Sequence, residues 1–180
     1  MKNYLKLIFV FSFIFILGIT NSIQAKESNV SLLKPNWTFN GFFGKFDRAQ
    51  LQRGYQVYKE VCASCHSMNL LSYRNLSEPG GPEFSEAEVK ALAAQYEIQD
   101  GPNADGEMFT RKGIPSDRFK SPYPNELASR AANGGAYPPD MSVLVKARPG
   151  ESDYIYSVLM GYEEKVPANI KLEEGVYYNK

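Results

Sequence analysis

The side chains best suited to chemistry in this sequence lie together in one pentapeptide, Cys62-Ala63-Ser64-Cys65-His66. The chain of 180 residues contains two cysteines and one histidine, and all three fall within this segment. Thiols and imidazoles act as nucleophiles, redox groups and metal ligands. Any thiol or imidazole chemistry of these 180 residues is therefore confined to one short stretch.

Several kinds of site use two cysteines at this spacing. A disulfide is the ordinary use in an exported protein. A redox-active dithiol requires a preceding strand in a βαβ unit, and residues 55–61 show no such pattern. A structural zinc site needs four ligands, whereas Cys62, Cys65 and His66 supply only three. A histidine directly after the second cysteine is the signature of c-type haem attachment, which is our main hypothesis.

A haem attached here requires further ligands from the chain. Each thiol would join one vinyl group, and His66 would bind the iron on the proximal side. Electron-transfer haems commonly take methionine as the sixth ligand, and the candidates after the motif are Met68, Met108, Met141 and Met160. Met68 is too close to His66 to reach the opposite face, and Met160 is expected in the core. We assign none of the four as the ligand.

The haem propionates also need hydrogen-bond donors. Partly buried carboxylates are stabilised by arginine, by tyrosine and by amide groups. By residue type alone, the candidates are Arg118, Arg148, Tyr154 and Asn133.

A helix is predicted to lead directly into the pentapeptide. Asp47 is a suitable N-cap, and Gln50 follows three residues later in a variant of the capping box. Apolar residues then recur at helical spacing: Leu51, Tyr55, Tyr58 and Val61. We expect this helix to run from about residue 48 to the first cysteine.

Three more helices are predicted, and no sheet. The capping box of Ser85 and Glu88 begins a helix over about 86–98. Another begins near 126 and ends at Asn133 and Gly134. The last covers about 153–161 and turns three side chains inward, Ile155, Val158 and Leu159. With Pro- and Gly-rich loops at 79–82, 101–106, 115–124 and 138–139, the predicted fold class is mostly α with long loops.

The first 25 residues are typical of a secretory signal peptide. Lys2 and Lys6 precede an apolar run over 7–19, which is shorter than the about 20 residues of a spanning helix, and small Ala25 follows. We expect export and a haem domain over 26–180. Formal charge is zero for the whole chain, and loss of the two lysines leaves 18 basic against 20 acidic residues, a balance that gives no reason to expect nucleic acid as a partner.

Beyond the pentapeptide, the sequence resembles the cytochrome c1 family, the haem subunits of cytochrome bc1 complexes, in its alphaproteobacterial form. The resemblance runs from about Trp37 to the final residue. It rests on the segments FDRAQLQRG (46–54), VYKEVCASCHSM (57–68), YRNL (73–76), PSDRF (115–119), SPYPNE (121–126), RAANGGA (130–136), PPDMS (138–142), VKAR (145–148) and DYIYS (153–157). These strings are far more specific than the pentapeptide.

The resemblance implies a mostly α, cytochrome c-like haem domain with long Pro/Gly-rich loops. It also implies an electron relay on the periplasmic side of the bacterial inner membrane. Such a subunit passes single electrons from the Rieske iron-sulfur protein to a cytochrome c, beside cytochrome b, and performs no bond chemistry of its own. Cys62 and Cys65 match the thioether positions and His66 the iron ligand. Positions that line the haem and its propionates are matched by Asn133, Arg148 and Tyr154, and a haem-packing position is matched by Pro139.

At its end the sequence departs from the family pattern. Family members continue past the segment 174–179 to a methionine that ligates the iron and then to a C-terminal membrane helix. We therefore expect the sixth ligand and the anchor beyond Lys180. A soluble periplasmic monohaem cytochrome c is the alternative function, and a haem enzyme or gas sensor is a third hypothesis.

Overall fold

The computed structural model describes residues 31–180, and the predicted signal peptide lies outside them. In chain order the elements are α1 (Arg48–Glu60), a 3₁₀ turn (Cys62–Ser64), a second 3₁₀ turn (Tyr73–Ser77), α2 (Glu86–Ala93), β1 (Glu97–Asp100), β2 (Phe109–Lys112), α3 (Glu126–Ala132) and α4 (Glu151–Met160). Most of the described residues lie outside these elements. The expected mostly α class is therefore not confirmed, and residues 31–180 contain four α-helices and one small sheet.

Helix α1 begins and ends as predicted. The Asp47 side chain accepts a hydrogen bond from the backbone N–H of Gln50 at 3.1 Å, which satisfies one of the free donors of the first turn. Tyr55 and Tyr58, three residues apart, are its buried side chains. Val61, expected on the same apolar stripe, is 64% exposed. The helix thus packs through its two tyrosines and carries the cysteines at its end.

The hydrophobic core is one cluster formed by α1, the second 3₁₀ turn, α2 and one loop residue. Its buried members are Tyr55, Tyr58, Tyr73, Leu76, Val89, Ala93 and Phe119. The Phe119 ring lies 4.8 Å from that of Tyr73 and 5.9 Å from that of Tyr58, distances at which aromatic pairs attract each other. The start of the functional motif is therefore anchored to the best-packed part of the molecule.

Helix α2 ends at Ala93, so the prediction of a helix to Ile98 was wrong. The capping box at its start is present as expected. After Ala93 the chain turns, the ring of Tyr96 stacks on Tyr73, and the carbonyl of Tyr96 accepts the N–H of Gly113 at 2.9 Å. These contacts with distant residues replace the next turn of helix.

A two-stranded antiparallel sheet follows, where no sheet was predicted. Strand β1 pairs with β2 in a register that places Glu97 opposite Lys112 and Asp100 opposite Phe109. Arg111 binds Asp100 within the hairpin and Asp117 beyond it. Each strand has only four residues, too few for the alternating pattern that identifies strands from sequence.

The last two helices agree with the predictions to within two residues. Helix α3 is capped by the Asn125 side chain, which accepts the N–H of Ala128 at 2.9 Å, and Gly134 has the expected positive φ of 60°. Helix α4 begins at Glu151, and its Leu159 is 66% exposed, against the expectation that it turns inward. Within residues 31–180 no helix is long and apolar enough to cross a membrane.

Candidate functional site

The pentapeptide forms a tight turn directly after α1. Its first three residues are a 3₁₀ helix, and the carbonyl of Cys62 accepts the N–H groups of both Cys65, at 3.1 Å, and His66, at 2.8 Å. Ser64 closes the turn with a hydrogen bond from Oγ to the carbonyl of Val61 at 2.7 Å. Both thiols are free and half-buried. The turn therefore presents two free thiols three residues apart, with no disulfide between them.

The imidazole of His66 is oriented by a residue far away in the sequence. Its Nδ1 lies 2.8 Å from the carbonyl oxygen of Pro139. A carbonyl only accepts hydrogen bonds, so Nδ1 must carry the proton and donate it. In the neutral ring Nε2 then keeps its lone pair, and this is the tautomer that a metal-binding histidine needs.

The segments 66–70 and 139–142 are joined by further hydrogen bonds, and we call this pair of segments the clasp. The N–H of Met141 donates to the carbonyl of Ser67 at 2.8 Å, and the N–H of Leu70 donates to Ser142 Oγ at 3.0 Å. Asp140 Oδ2 accepts Ser67 Oγ and the N–H of Asn69, both at 2.8 Å. The clasp therefore links the motif's exit to the loop that carries the Pro139 carbonyl.

The carboxyl of Asp140 is strongly acidic in this setting. Burial by itself would raise its pKa, but hydrogen bonds from Ser142, Asn69 and Ser67 together outweigh burial and lower the pKa to about 2. At neutral pH the carboxylate is ionised and accepts all of these bonds. Asp140 therefore makes more hydrogen bonds than any other side chain of the clasp.

Within residues 31–180, two solvent-open cavities are lined in part by residues of the pentapeptide. One, of about 450 Å³, is lined by Cys65 together with Ser129, Tyr137 and Pro138, among others. The second, of about 830 Å³, is lined by Ala63 and Ser64 and by the aromatic residues Tyr55, Tyr58, Tyr73, Tyr96 and Phe119. Burial raises the pKa of Tyr58 to about 12, so its hydroxyl stays protonated at neutral pH. Residues of the motif therefore line one cavity with polar walls and another with aromatic walls.

The other predicted site residues differ in how close they come to the motif. Pro139 contacts His66 directly. Asn133 caps α3 and donates from Nδ2 to the carbonyl of Ser129 at 2.7 Å, and Ser129 lines the cavity that Cys65 also lines. Arg148 donates to the adjacent carbonyl of Ala147, and Tyr154 is half-buried in the first turn of α4. Neither of these two hydrogen-bonds the pentapeptide within residues 31–180.

Arg118 and the four methionines are the remaining candidates from the sequence. The Arg118 guanidinium donates to the carbonyl of Leu70. Met68 and Met141 are partly buried against the core cluster, while Met108 and Met160 are 56% and 57% exposed. The expectation that Met160 belongs to the core was therefore wrong.

Asp140 is a residue that the sequence analysis did not single out. Its Oδ1 accepts the N–H of Ser142 at 2.9 Å, a local turn that an Asp followed two residues later by Ser can form. That local pattern was the available signal. The contacts with Ser67 and Asn69, across more than 70 residues, had no signal in the sequence.

The donor set fits a covalently attached haem. The two free thiols are held on one turn, and the imidazole that follows them keeps Nε2 available because Nδ1 is engaged by Pro139. A thiol–thiol–imidazole set of this kind is what thioether attachment and proximal iron ligation require.

Comparison with known proteins gives a consistent result. The model of the family described as Cytochrome C1 matches residues 37–180. The chain is 51% identical to cytochrome b/c1 of Bradyrhizobium diazoefficiens, over 88% of this chain and 26% of that protein. It is 52% identical to cytochrome c1 of Rhodospirillum rubrum, over 84% of this chain and 55% of that protein. It is also 48% identical to the mitochondrial cytochrome c1 haem protein of Saccharomyces cerevisiae, over 88% and 50%. The chain spans about half or less of the length of these relatives.

Proposed function

Because the chain belongs to the Cytochrome C1 family, we propose that it is the haem-carrying electron relay of a cytochrome bc1 complex. The cofactor of this family is haem, and relatives carry the words haem protein in their names. The observation that carries the proposal is the arrangement of Cys62, Cys65 and His66 inside the region that the family model matches. In this proposal the chain relays electrons and performs no bond chemistry of its own.

The attachment uses the three side chains of the pentapeptide. The S–H of Cys62 and that of Cys65 would each add across one vinyl double bond of the haem, so that sulfur bonds to one carbon and hydrogen goes to the other without an oxidant. His66 would hold the iron through Nε2, while its Nδ1 donates to the carbonyl of Pro139 and so keeps the ring in one orientation. Bound haem iron supplies the function by taking up and releasing one electron at a time.

Four further residues are proposed to line the haem. Pro139 would pack against the ring, and Asn133, Arg148 and Tyr154 would face the ring or its propionates. Support for Pro139 is its contact with His66, and for Asn133 its bond to Ser129 beside Cys65. Support for Arg148 and Tyr154 is the family resemblance of the segments VKAR and DYIYS.

The proposed partners are cytochrome b, the Rieske iron-sulfur protein as donor and a cytochrome c as acceptor. The name of the Bradyrhizobium relative joins cytochrome b with c1, and a Candida albicans relative is named as a catalytic subunit of the cytochrome b-c1 complex. We propose that the chain is exported and works on the periplasmic side of the inner membrane. A free soluble carrier is not favoured, because these relatives are named for the complex.

The attachment is tested in a host that matures c-type haem. We expect the purified protein to carry one haem that remains bound after denaturation, as a mass increase and a haem stain on a denaturing gel. The double variant Cys62→Ser with Cys65→Ser should lose both signals. Ser64→Ala is the matched control, because it alters the same turn but leaves both thiols, and it should keep the haem. Haem-free wild-type protein in that host would overturn the proposal.

The relay is tested in the assembled complex. The complex that contains His66→Ala should lose most quinol-dependent reduction of cytochrome c, while reduction of cytochrome b by quinol continues. An unchanged rate of cytochrome c reduction would contradict a relay through this chain.

A further inference from the structure

The Pro139 carbonyl is held by its neighbours rather than by its own residue. Proline has no N–H, so Pro138 and Pro139 donate no backbone hydrogen bond that could fix this stretch. Pro139 is also exposed. The position of the carbonyl that orients His66 therefore depends on the residues directly after Pro139.

The carboxylate of Asp140, the next residue, makes several of the hydrogen bonds that hold this loop in place. One carboxylate oxygen accepts Ser67 Oγ and the N–H of Asn69, each at 2.8 Å. The other accepts the N–H of Ser142 at 2.9 Å. A single side chain thus ties its own loop in place and ties that loop to the residues directly after His66. Hydrogen bonds to an ionised acceptor are about twice as strong as those between neutral groups.

We propose that Asp140 is a positioning residue for His66: it holds the Pro139 carbonyl against Nδ1 and thereby sets the orientation and basicity of the imidazole toward the iron. The proposal rests on the proposed function, since it concerns the same histidine. A bond from Nδ1 to a fixed acceptor increases the electron density that Nε2 offers to a metal. Loosening the clasp should therefore weaken this donation and raise the reduction potential of the haem.

Two variants of different severity test the proposal. Asp140→Ala removes all of the carboxylate bonds, and Ser67→Ala removes one of them while leaving the backbone bonds of the clasp. Asp105→Asn is the matched control, because it removes a negative charge from an exposed loop position. Each protein is purified with its haem, and thermal unfolding confirms that it is folded at the measuring temperature.

Two measurements report on the histidine rather than on stability. One is the reduction potential, and the other is the solvent exchange rate of the His66 Nδ1 proton by NMR. We expect Asp140→Ala to raise the reduction potential of the haem. We also expect it to speed the exchange of the Nδ1 proton about tenfold, the factor that corresponds to a loss of about 1.4 kcal/mol of hydrogen-bond energy. Ser67→Ala should move both in the same direction by less. Asp105→Asn should match the wild type.

The outcomes separate this inference from the proposed function. Haem-free wild-type protein would overturn both. Wild-type protein with haem, together with unchanged potential and exchange rate in Asp140→Ala, would overturn only the role of Asp140. If Asp140→Ala does not fold, Ser67→Ala decides: values equal to the wild type overturn the proposal, and the expected shift supports it.

Discussion

The Nδ1 atom of His66 lies 2.8 Å from the carbonyl oxygen of Pro139, 73 residues further along the chain. This contact by itself places the proton of the neutral imidazole on Nδ1, because the carbonyl accepts a hydrogen bond and cannot donate one. It also connects the short turn after α1 to the loop that precedes α4. The geometry of the proposed iron ligand is therefore a property of tertiary structure as well as of the motif.

The first prediction concerns this proton. In the haem-loaded protein the Nδ1 proton of His66 should give an NMR signal that exchanges slowly with solvent, because the carbonyl of Pro139 holds it. The assignment is unambiguous, since the chain has one histidine. A proton on Nε2, or no protected ring proton, would contradict the tautomer.

A second prediction compares two glycines. A Cβ at Gly113 would lie 2.5 Å from the carbonyl oxygen of Ala93, whereas a Cβ at Gly54 would meet nothing within 4 Å. Gly113→Ala should lower the free energy of unfolding by about 1–3 kcal/mol, because the backbone at the end of α2 must shift. Gly54→Ala, in the middle of α1, should raise it by about 0.5–1 kcal/mol. Denaturant unfolding measures both, and equal effects would refute the close approach.

The third prediction concerns the start of α2. Ser85 Oγ accepts the N–H of Glu88 at 3.3 Å, and the Glu88 carboxylate accepts the N–H of Ser85 at 2.8 Å. Ser85→Ala should lower the free energy of unfolding by about 1 kcal/mol through loss of the cap. Ser116→Ala, at an exposed loop position, serves as the control and should have little effect in the same denaturant titration.

A fourth prediction concerns acid stability. Hydrogen bonds from Arg111 lower the pKa of both Asp100 and Asp117 below the ordinary value of 3.8. Carboxyls with a lowered folded-state pKa contribute stability that is complete above 3.8 and is lost as the pH falls through their folded pKa. Arg111→Gln should therefore destabilise the protein at pH 7, and the difference from wild type should shrink at acid pH.

Urea unfolding at neutral pH and near pH 2.5 measures this difference. Lys112→Gln is the control, because its pair with Glu97 is 3.6 Å long and mostly exposed, and such pairs contribute little. If Arg111→Gln and Lys112→Gln behave alike at both pH values, the Arg111 network has no special role.

Local signals predicted the parts of the fold that local forces control. Asp47 and Ser85 mark the starts of α1 and α2, and Gly134 marks the end of α3, because caps act within one turn of helix. The end of α2 was missed for the same reason. Tyr96 continues the helical spacing, but its carbonyl binds Gly113 and its ring stacks on Tyr73, and neither contact is visible in a window of sequence.

The sequence by itself limited the site to thiol and imidazole chemistry, since two thiols and one imidazole lie within five residues, and the surrounding strings identify the family. Only the tertiary structure decided which nitrogen of His66 is free and which residue holds it so. Residue type and spacing are properties of a few neighbouring positions. His66 bonds to Pro139, and Ser67 bonds to Asp140. Both hydrogen bonds form only when the folded chain brings segments 73 residues apart within hydrogen-bond distance.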